Sequence, residues 1–371
     1  MSKIYNIIIP LWGDKYISRF ERFILPSLLT KNNLFYLNKL NDVRITFCTI
    51  NNNINYLKHL LIKYNFKLKF ITIDELIKKA KTRRLLHLIY LKGIKSEVRD
   101  HKKVNFLFFN SDDFFSNNYL KEISLILKKN KNIKCILENK ILVDEKKLLK
   151  KIITYKDDKA ISINSTKLFE IGLQSLSNFS KFSFLNFNNK FNYNSYCLYW
   201  KVNEHNLLCS GFLLHPILIR PKKKITKMNG FLDYFLIPDY SSRKNIKILL
   251  SNNKLFRIGI SNYENLKFIY SFDIKKYSTV LNSWLTNDHK FYSNFISHFS
   301  YKSISRKKLL SEKKLFISKL KKIHTKLNFN GKSHKNHPYW GLNKNIYAKG
   351  IKNYIRRIIN IVSQKKIYYV K

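Results

Sequence analysis

The first 140 residues alternate between short apolar runs and longer segments in which apolar residues recur with helical spacing. The apolar runs predict five strands, at residues 3–10, 42–50, 67–73, 103–109 and 132–138. The intervening segments have the period of amphipathic helices. Strands that are apolar throughout and alternate with such helices are typical of a mostly parallel sheet covered by helices on both faces. The pattern therefore predicts an α/β fold with a doubly wound sheet.

The alternation loosens after about residue 150. Residues 206–221 and 255–261 are strand-like, helical patterns dominate from Tyr277 onward, and the last 69 residues, 303–371, are very basic. We therefore expect one α/β domain over residues 1–270 and a basic, mainly helical C-terminal extension over residues 271–371.

Polar residues and turn formers follow three of the predicted strands. Pro10, Trp12 and Gly13 follow the first strand, Asn51 follows the second, and Ser111, Asp112 and Asp113 follow the fourth. In doubly wound sheets, ligands bind in the crevice at the carboxyl ends of the strands. These residues are therefore expected along one ligand-binding edge, where Trp12 either stacks on a base or sugar ring or serves as a packing residue.

The adjacent carboxylates Asp112 and Asp113 are unusual in a chain with few acids. Mg²⁺ is typically held by one or two carboxylates together with phosphate oxygens of a substrate. The pair therefore suggests a site for a divalent cation, Mn²⁺ or Mg²⁺, with a nucleoside diphosphate. The alternative is that Ser111, Asp112 or Asp113 merely caps the following helix; Ser116 is another candidate cap for that helix.

Three further residues stand out downstream. His215 is followed by a proline within an apolar run, and it could complete a metal site or touch a phosphate; the alternative is a core histidine bonded to the backbone. Arg220 could neutralise a phosphate through a forked contact. Asp233 is a candidate general base in a basic background, with a salt-bridged surface residue as the alternative.

The composition points to an anionic partner, although base composition of the gene is a competing explanation. The chain has 71 Lys and Arg against 23 Asp and Glu, a formal net charge of +48. Such a balance favours nucleic acid, a membrane surface or phosphorylated substrates as partners. Lys, Asn, Ile, Phe and Tyr are abundant together, however, as codons rich in A and T would produce. The four cysteines are scattered, and no apolar stretch approaches the ~18 residues of a membrane span; a cytoplasmic protein is expected.

The segments IIIPLWGDKYISRFERFILPSLL, FLFFNSDDFFSNNYL, GFLLHPILIRP and GFLDYFLIPDY, in this order, resemble bacterial glycosyltransferases of the GT-A type. The resemblance covers roughly residues 3–261. It implies a Rossmann-like sheet that binds a nucleotide-sugar, with an acidic motif, commonly Asp-x-Asp, holding Mn²⁺ or Mg²⁺ against the diphosphate. Here Ser111 replaces the first Asp. Asp113 is then the preferred metal ligand, Asp112 contacts ribose or metal, and His215 matches the downstream histidine.

The substitution at Ser111 also leaves open a metal-independent enzyme, one in which Lys or Arg replaces the metal cation, or an inactive relative. The resemblance implies transfer of a sugar from a nucleotide-sugar to a saccharide or lipid-linked acceptor, in surface-polysaccharide synthesis, with Asp233 as the base if the enzyme inverts. The basic extension would cover the site or contact the anionic inner membrane.

Two other functions compete with sugar transfer. A non-catalytic protein that binds nucleic acid would be expected to show a base-stacking or groove-reading motif, and none is visible, so no specific nucleic acid is expected as a partner. A nucleotidyltransferase on the same fold usually has a Gly-rich phosphate loop after the first strand, where this chain has Gly13 alone.

Overall fold

The structure is a computed structural model that describes residues 3–79, 85–187, 191–192, 196–227, 237–261, 271–282 and 285–330. The strands are β1 Ile4–Pro10, β2 Asp42–Thr49, β3 Lys67–Thr72, β4 Val104–Phe108, β5 Asp113–Phe115, β6 Cys135–Glu138, β7 Ile141–Val143, β8 Lys156–Asp157, β9 Ala160–Ile161, β10 Phe191–Asn192, β11 Cys197–Asn203, β12 Asn206–Gly211, β13 His215–Ile219, β14 Ile246–Leu249, β15 Arg257–Ile260, β16 Ser271–Phe272 and β17 Ile296–Ser300. The helices are α1 Asp14–Arg19, α2 Leu25–Leu28, α3 Tyr36–Leu40, α4 Asn51–Leu61, α5 Asp74–Lys79, α6 Leu85–Lys95, α7 Tyr119–Lys129, α8 Glu145–Ile152, α9 Ser165–Gln174, α10 Asn178–Lys181, α11 Ile237–Tyr240, α12 Ile274–Asn282, α13 Asn287–Ser293 and α14 Arg306–His324.

The chain forms two compact units, each assembled from separate stretches of sequence. The first unit comprises Met1–Ser175, Leu214–Ile260 and Phe299–Tyr301, and the second comprises Leu176–Leu213, Ser261–His298 and Lys302–Lys371. The boundary expected after residue 270 stays a prediction, because residues 262–270 lie outside the described part of the chain.

A seven-stranded sheet forms the centre of the first unit. Its strand order is β14-β6-β13-β4-β1-β2-β3. Neighbouring strands are parallel except around β13, which runs antiparallel to both β4 and β6. All five strands predicted in the first 140 residues belong to this sheet, so the predicted α/β class with a mostly parallel sheet is confirmed.

Both faces of the sheet are covered. Successive side chains of a strand point to opposite faces, so neighbouring residues of β2 contact different layers. Phe47 in β2 makes an edge contact with Phe20, in the π-helical turn Phe20–Ile24, at 5.5 Å between ring centroids. The next residue, Cys48, faces α6 on the other side. Gly93 of α6 lies so close to the sheet that an added Cβ would be 2.7 Å from Ile8 and 2.9 Å from Cys48.

A second, three-stranded sheet of the first unit begins directly at the acidic pair. Its order is β5-β15-β7, with Asp113 as the first residue of β5. The following helix, α7, starts six residues later at Tyr119, with Asn118 as its N-cap residue and no side-chain cap bond. The capping alternative for Asp112 and Asp113 is therefore wrong. The predicted cap at Ser116 is also wrong, because the Ser116 hydroxyl accepts a hydrogen bond from the Phe256 backbone N–H at 3.1 Å.

The strand-like run at residues 206–221 is two strands rather than one. β12 ends at Gly211 and β13 begins at His215, and the two strands belong to different units and different sheets. β12 lies between β11 and β17 in a three-stranded sheet. β17 was not anticipated, because helices were expected to dominate from Tyr277 onward.

Helix α14 belongs to the second unit and packs within it through one apolar face. Phe316, Leu320 and Ile323 are buried, and the Phe316 ring centroid lies 6.0 Å from that of Trp200 in β11. The Trp200 indole N–H donates a hydrogen bond to Glu312 at 2.7 Å. Among the described residues, no helix combines the length and hydropathy needed to cross a bilayer.

Candidate functional site

The candidate site lies at the edge of the central sheet where the parallel strands β1, β4 and β6 end. The antiparallel strand β13 starts at this edge, so that its first residue, His215, pairs with Glu138, the last residue of β6. Asp112 and Asp113 follow the end of β4 at Phe108 after three intervening residues. The sheet therefore brings together two chain segments, Asp112–Asp113 and His215, that are about a hundred residues apart in sequence.

Asp113 is fully buried, and both of its carboxylate oxygens are hydrogen bonded. The Lys140 ammonium donates to Oδ1 at 2.9 Å, and Arg257 Nη1 donates to Oδ2 at 2.9 Å. The backbone N–H of Asn110 also donates to Oδ2, at 3.0 Å. Burial alone would raise the pKa of Asp113, but Arg257 and Lys140 together lower it to about 2. The two cations therefore favour the ionised form of Asp113.

Arg257 joins Asp113 to a second buried acid, Glu138. The Arg257 side chain is fully buried and its Nε contacts Glu138 Oε1. The Tyr119 hydroxyl donates to the same oxygen at 2.9 Å. Burial lowers the pKa of Arg257, but the attraction of Asp113 and Glu138 outweighs it, and the net shift is upward. Burial raises the pKa of Glu138, with Arg257 acting in the opposite direction.

Lys140 occupies the space that a glycine leaves open. Gly259 of β15 pairs with Asp113 of β5 on one side and with Leu142 of β7 on the other. A Cβ at Gly259 would be 3.2 Å from Lys140 Cε, 3.3 Å from Lys140 Nζ and 2.8 Å from a Leu142 methyl group. The missing side chain at Gly259 therefore lets the lysine lie across β15 and reach Asp113.

Asp112 is half-buried and lies next to the segment that follows β1. Its backbone carbonyl accepts a hydrogen bond from the Ile260 N–H at 2.6 Å. Burial raises the pKa of the Asp112 side chain, the Asp113 carboxylate raises it further, and Lys140 and Arg19 oppose the rise. The pKa of Tyr16 is raised by burial and then by Asp112. These electrostatic interactions show that α1, which carries Tyr16 and Arg19, is close to Asp112.

The turn between β1 and α1 depends on Gly13. This residue has φ +78° and ψ 142°, a backbone conformation that residues with a Cβ rarely adopt. Its carbonyl oxygen accepts hydrogen bonds from Tyr16 N–H at 3.0 Å and Ile17 N–H at 3.1 Å, which starts the helix. Trp12 is half-exposed, with its ring centroid 6.1 Å from that of Tyr16. Pro10, the last residue of β1, positions this turn at the same edge as the acidic pair.

The histidine of the predicted site lies beside the buried cluster. His215 is half-buried, and its Nε2 lies 3.3 Å from the Phe108 carbonyl oxygen. The imidazole also interacts electrostatically with Asp113 and Glu138; this interaction adds to the lowering of the Asp113 pKa and opposes the rise that burial causes in the Glu138 pKa. His215 thus has the backbone contact of the alternative interpretation, and its role towards a metal or a phosphate stays a prediction.

Three predicted residues are not brought into this cluster. Arg220 follows the other end of β13 and lies at the opposite edge of the sheet, where its Nη2 donates to the Lys131 carbonyl at 2.9 Å. Asn51 starts α4 after β2, and its backbone N–H donates to Asp74 at 3.0 Å. Asp233 lies outside the described residues. The roles expected for these three residues stay predictions.

The residues around Asp113 do not fit a divalent cation as they stand. Both Asp113 oxygens are bonded to cationic side chains, so a metal would have to displace Lys140 or Arg257. Over the described stretches of the chain, no group of three or more His, Cys, Asp and Glu side chains has a metal-binding arrangement. The predicted Mn²⁺ or Mg²⁺ stays a prediction, and no step proposed below runs through a metal.

Lys140, Glu138 and Arg257 were missed as candidates from sequence. A signal was present for two of them: Arg257 interrupts the apolar run LFRIGIS, and Glu138 ends the apolar run CILE. A charge inside a buried strand requires a partner of opposite charge. Lys140 carried no such signal, because it is one of many lysines in the chain and lies in the short connection between β6 and β7.

No protein-family model matches the chain. No curated protein sequence matches it either. Among solved structures, the chain is similar to mouse xyloside xylosyltransferase 1 in its apo form, with 9% identity and a TM-score of 0.27 over 39% of this chain and 57% of that one. It is similar to TarS of S. aureus in complex with UDP, with 14% identity and a TM-score of 0.26 over 38% of this chain and 37% of that one.

A third similar structure is a 4-diphosphocytidyl-2C-methyl-D-erythritolsynthase from Anaerococcus prevotii, with 15% identity and a TM-score of 0.25 over 39% of this chain and 61% of that one. The chain thus spans between 37% and 61% of the length of these three structures. By name, one of the three is a xylosyltransferase, and another was solved with bound UDP. Similarity at this level assigns neither an activity nor a ligand to this chain, so the proposal below depends on the site itself.

Proposed function

We propose that the protein is a glycosyltransferase that takes a sugar from a nucleoside-diphosphate sugar. The observation that carries the proposal is the charge cluster at the carboxyl edge of the sheet. In this cluster two buried acids, Asp113 and Glu138, are held by Arg257 and Lys140, next to the Gly13 turn. A mostly parallel sheet offers its ligand crevice at this edge. Fixed charges there suit a ligand that itself carries charge.

Asp112 is half-buried, whereas Asp113 is fully buried and has both carboxylate oxygens bonded to cationic side chains. Since carboxylates accept hydrogen bonds from hydroxyl groups, we assign Asp112 to the ribose of the donor. Trp12, half-exposed beside Tyr16 on the neighbouring turn, is assigned to stacking on the base or the sugar. The diphosphate would then lie towards the cationic side chains of the cluster.

The proposed reaction breaks the bond between the sugar anomeric carbon and the diphosphate oxygen and forms a bond from that carbon to an acceptor hydroxyl. The electron pair of the broken bond stays on the diphosphate, whose new charge is stabilised by nearby cations. The hydroxyl proton passes to a base, for which Asp233 remains the candidate if the anomeric configuration inverts. A saccharide or lipid-linked acceptor is proposed on the resemblance noted above.

Contact with an anionic membrane surface is part of the same proposal. α14 carries eight Lys and Arg residues and one acid, Glu312, which is bonded to Trp200. Basic helices of this kind are attracted to anionic lipid headgroups. The cytoplasmic location at the inner membrane follows from the same resemblance and is likewise a proposal.

Calorimetric titration with UDP, GDP, CDP and dTDP tests the donor site. The experiment uses the wild-type protein, Asp112→Asn and, as a matched control, Asp157→Asn, which removes an exposed acid in β8. We expect one nucleotide to bind best and Asp112→Asn to weaken it by about 10-fold to 100-fold, the range for a lost hydrogen bond to a charged group. Asp157→Asn should bind like the wild type. Equal nucleotide binding by Asp112→Asn and Asp157→Asn would contradict the proposal. So would a protein that binds a control oligonucleotide and none of the four nucleotides.

The products distinguish sugar transfer from nucleotidyl transfer. A glycosyltransferase releases a nucleoside diphosphate from its donor, and slow transfer to water makes that release measurable without the acceptor. A nucleotidyltransferase instead releases pyrophosphate from a nucleoside triphosphate. Pyrophosphate release, with no diphosphate formed from any nucleotide-sugar, would replace the present proposal by the second activity.

A further inference from the structure

We infer that the Lys140 ammonium is the cation that contacts the diphosphate, in the place that the resemblance assigns to a divalent metal. The inference rests on the proposed function, because it names the group that recognises the donor's diphosphate in that site. It concerns residues that the sequence did not single out. Three features of the structure support it.

The first feature is that Asp113 already has its cations. In a metal-dependent site the carboxylate oxygens are the ligands of the metal. Here Oδ1 is bonded to Lys140 and Oδ2 to Arg257, each at 2.9 Å. A divalent ion at Asp113 would have to displace one of two side chains that compensate a fully buried charge, and leaving a buried charge unpaired is strongly unfavourable.

The second feature is that the two cations differ in exposure. The Arg257 side chain is fully buried between Asp113 and Glu138, so it holds the two acids in place and does not reach a ligand. The Lys140 side chain is 21% exposed, on the outer side of the cluster. An ammonium group has three N–H donors, so a contact with a phosphate does not require the bond from Lys140 to Asp113 Oδ1 to break. The exposed part of the Lys140 side chain is the part that a phosphate would approach.

The third feature is that the Lys140 side chain lies in a defined space, the one left open by Gly259. Its Cε and Nζ lie across Gly259, at distances that even a methyl group there would crowd. Gly259 pairs with Asp113 in the small sheet, so the space is directly beside the acid. Lysine is a common phosphate-binding residue and acts as a point charge. An ammonium fixed in this way supplies a positive charge to a diphosphate without a metal.

The test is nucleoside diphosphate binding and donor turnover, each measured in EDTA and in Mn²⁺. The proteins compared are the wild type, Lys140→Met and Lys150→Met, which removes an exposed lysine of α8 and keeps the change in net charge the same. We expect the wild type to bind equally well in EDTA and in Mn²⁺. We expect Lys140→Met to weaken binding about 10-fold to 100-fold and Lys150→Met to have no effect.

A second variant, Gly259→Ala, separates the position of the ammonium from its presence. The added methyl group would lie 2.8 Å from a Leu142 methyl group and 3.2 Å and 3.3 Å from Cε and Nζ of Lys140, and it leaves every charge in place. We expect this variant to lose affinity for the diphosphate while retaining most of its affinity for the nucleoside without phosphates. Circular dichroism and thermal unfolding of each variant identify a general loss of folding, and the wild-type comparison in EDTA needs no variant at all.

The outcomes separate the inference from the proposed function. Wild-type binding that requires Mn²⁺ would overturn the role of Lys140 and leave the glycosyltransferase proposal standing. Metal-independent binding that is unchanged in Lys140→Met would also overturn the inference. Failure of the wild type to bind any nucleotide, with or without metal, would overturn both.

Discussion

Replacing Arg257 by methionine tests how strongly the buried cluster depends on its central cation. The substitution removes the guanidinium from Asp113 and from Glu138 and keeps a side chain of similar length. Loss of one partner of a buried ion pair typically costs about 3–5 kcal/mol. The interactions of Asp113 alone, which lower its pKa from 3.8 to about 2, correspond to about 2 kcal/mol at neutral pH. We therefore expect a loss of at least about 3 kcal/mol.

The pH dependence of that loss provides a second check. A lowered carboxyl pKa contributes stability above the pKa of the unfolded chain, near 4, and that contribution disappears as the pH falls through the folded pKa, about 2. In Arg257→Met the pKa values of Asp113 and Glu138 must rise, so both acids become protonated at a higher pH and their unpaired charges disappear. The difference in stability between wild type and variant should therefore shrink as the pH falls from 7 towards 4.

Urea unfolding followed by circular dichroism measures both effects. Arg22→Met is the matched control, because the Arg22 side chain is 45% exposed and lies 3.8 Å from Glu145, an exposed pair worth about 0–1 kcal/mol. A loss in Arg257→Met as small as that in the control, or a loss that does not change between pH 7 and pH 4, would refute the reasoning about the buried cluster.

Three other substitutions test the packing and charges of each unit. Glu97→Gln should destabilise the protein by about 3 kcal/mol at pH 7 and by much less at pH 3. Burial raises the pKa of Glu97, but Arg99 outweighs it and lowers the pKa to about 2, so the stabilisation is present above the unfolded pKa and is lost as the pH falls towards 2. Urea titrations at the two pH values measure this difference, and equal losses would contradict it. Gly93→Ala should cost about 1–3 kcal/mol in thermal unfolding, since its Cβ would meet two sheet residues below 3.0 Å, while the exposed Lys95→Ala should be nearly neutral. Phe316→Ala should cost about 3–5 kcal/mol in the second unit, because this ring is fully buried, whereas Leu315→Ala, at a side chain 52% exposed, should cost little.

The main strands could be predicted from sequence because each lies in a segment of seven to nine residues that is rich in apolar residues and is followed by polar or turn-forming residues. β5, β7 and β15 have only three or four residues, too few for a period to show, so the small sheet that contains Asp113 was not predicted as a sheet. The split at residues 212–214 was missed for a different reason. The run stays apolar across the break, so its hydropathy does not reveal that the chain changes sheets there.

The candidate site was predicted in part. The edge at which Asp112 and Asp113 lie follows from the strand order of a parallel sheet. His215 reaches the same edge because β13 runs antiparallel to its neighbours, which was not predicted. The partners of Asp113 do not follow, because Lys140 and Arg257 reach it from two other strands or loops whose register is set by tertiary pairing. Arg220 is the opposite case, because closeness to His215 in sequence does not bring it close in space. It lies five residues from His215, but an extended strand carries it to the opposite edge of the sheet.

Each unit is assembled from separate stretches of the chain, and this has a consequence for shortened forms of the protein. The second unit takes β11 and β12 from Leu176–Leu213 and α14 from Lys302–Lys371. A chain ending at residue 270 would keep Trp200 without Phe316 against it, and Ser210 without the Ser293 carbonyl that its hydroxyl bonds at 2.8 Å. Such a fragment would expose apolar strands to other copies of itself, and it should precipitate where the full chain remains dissolved.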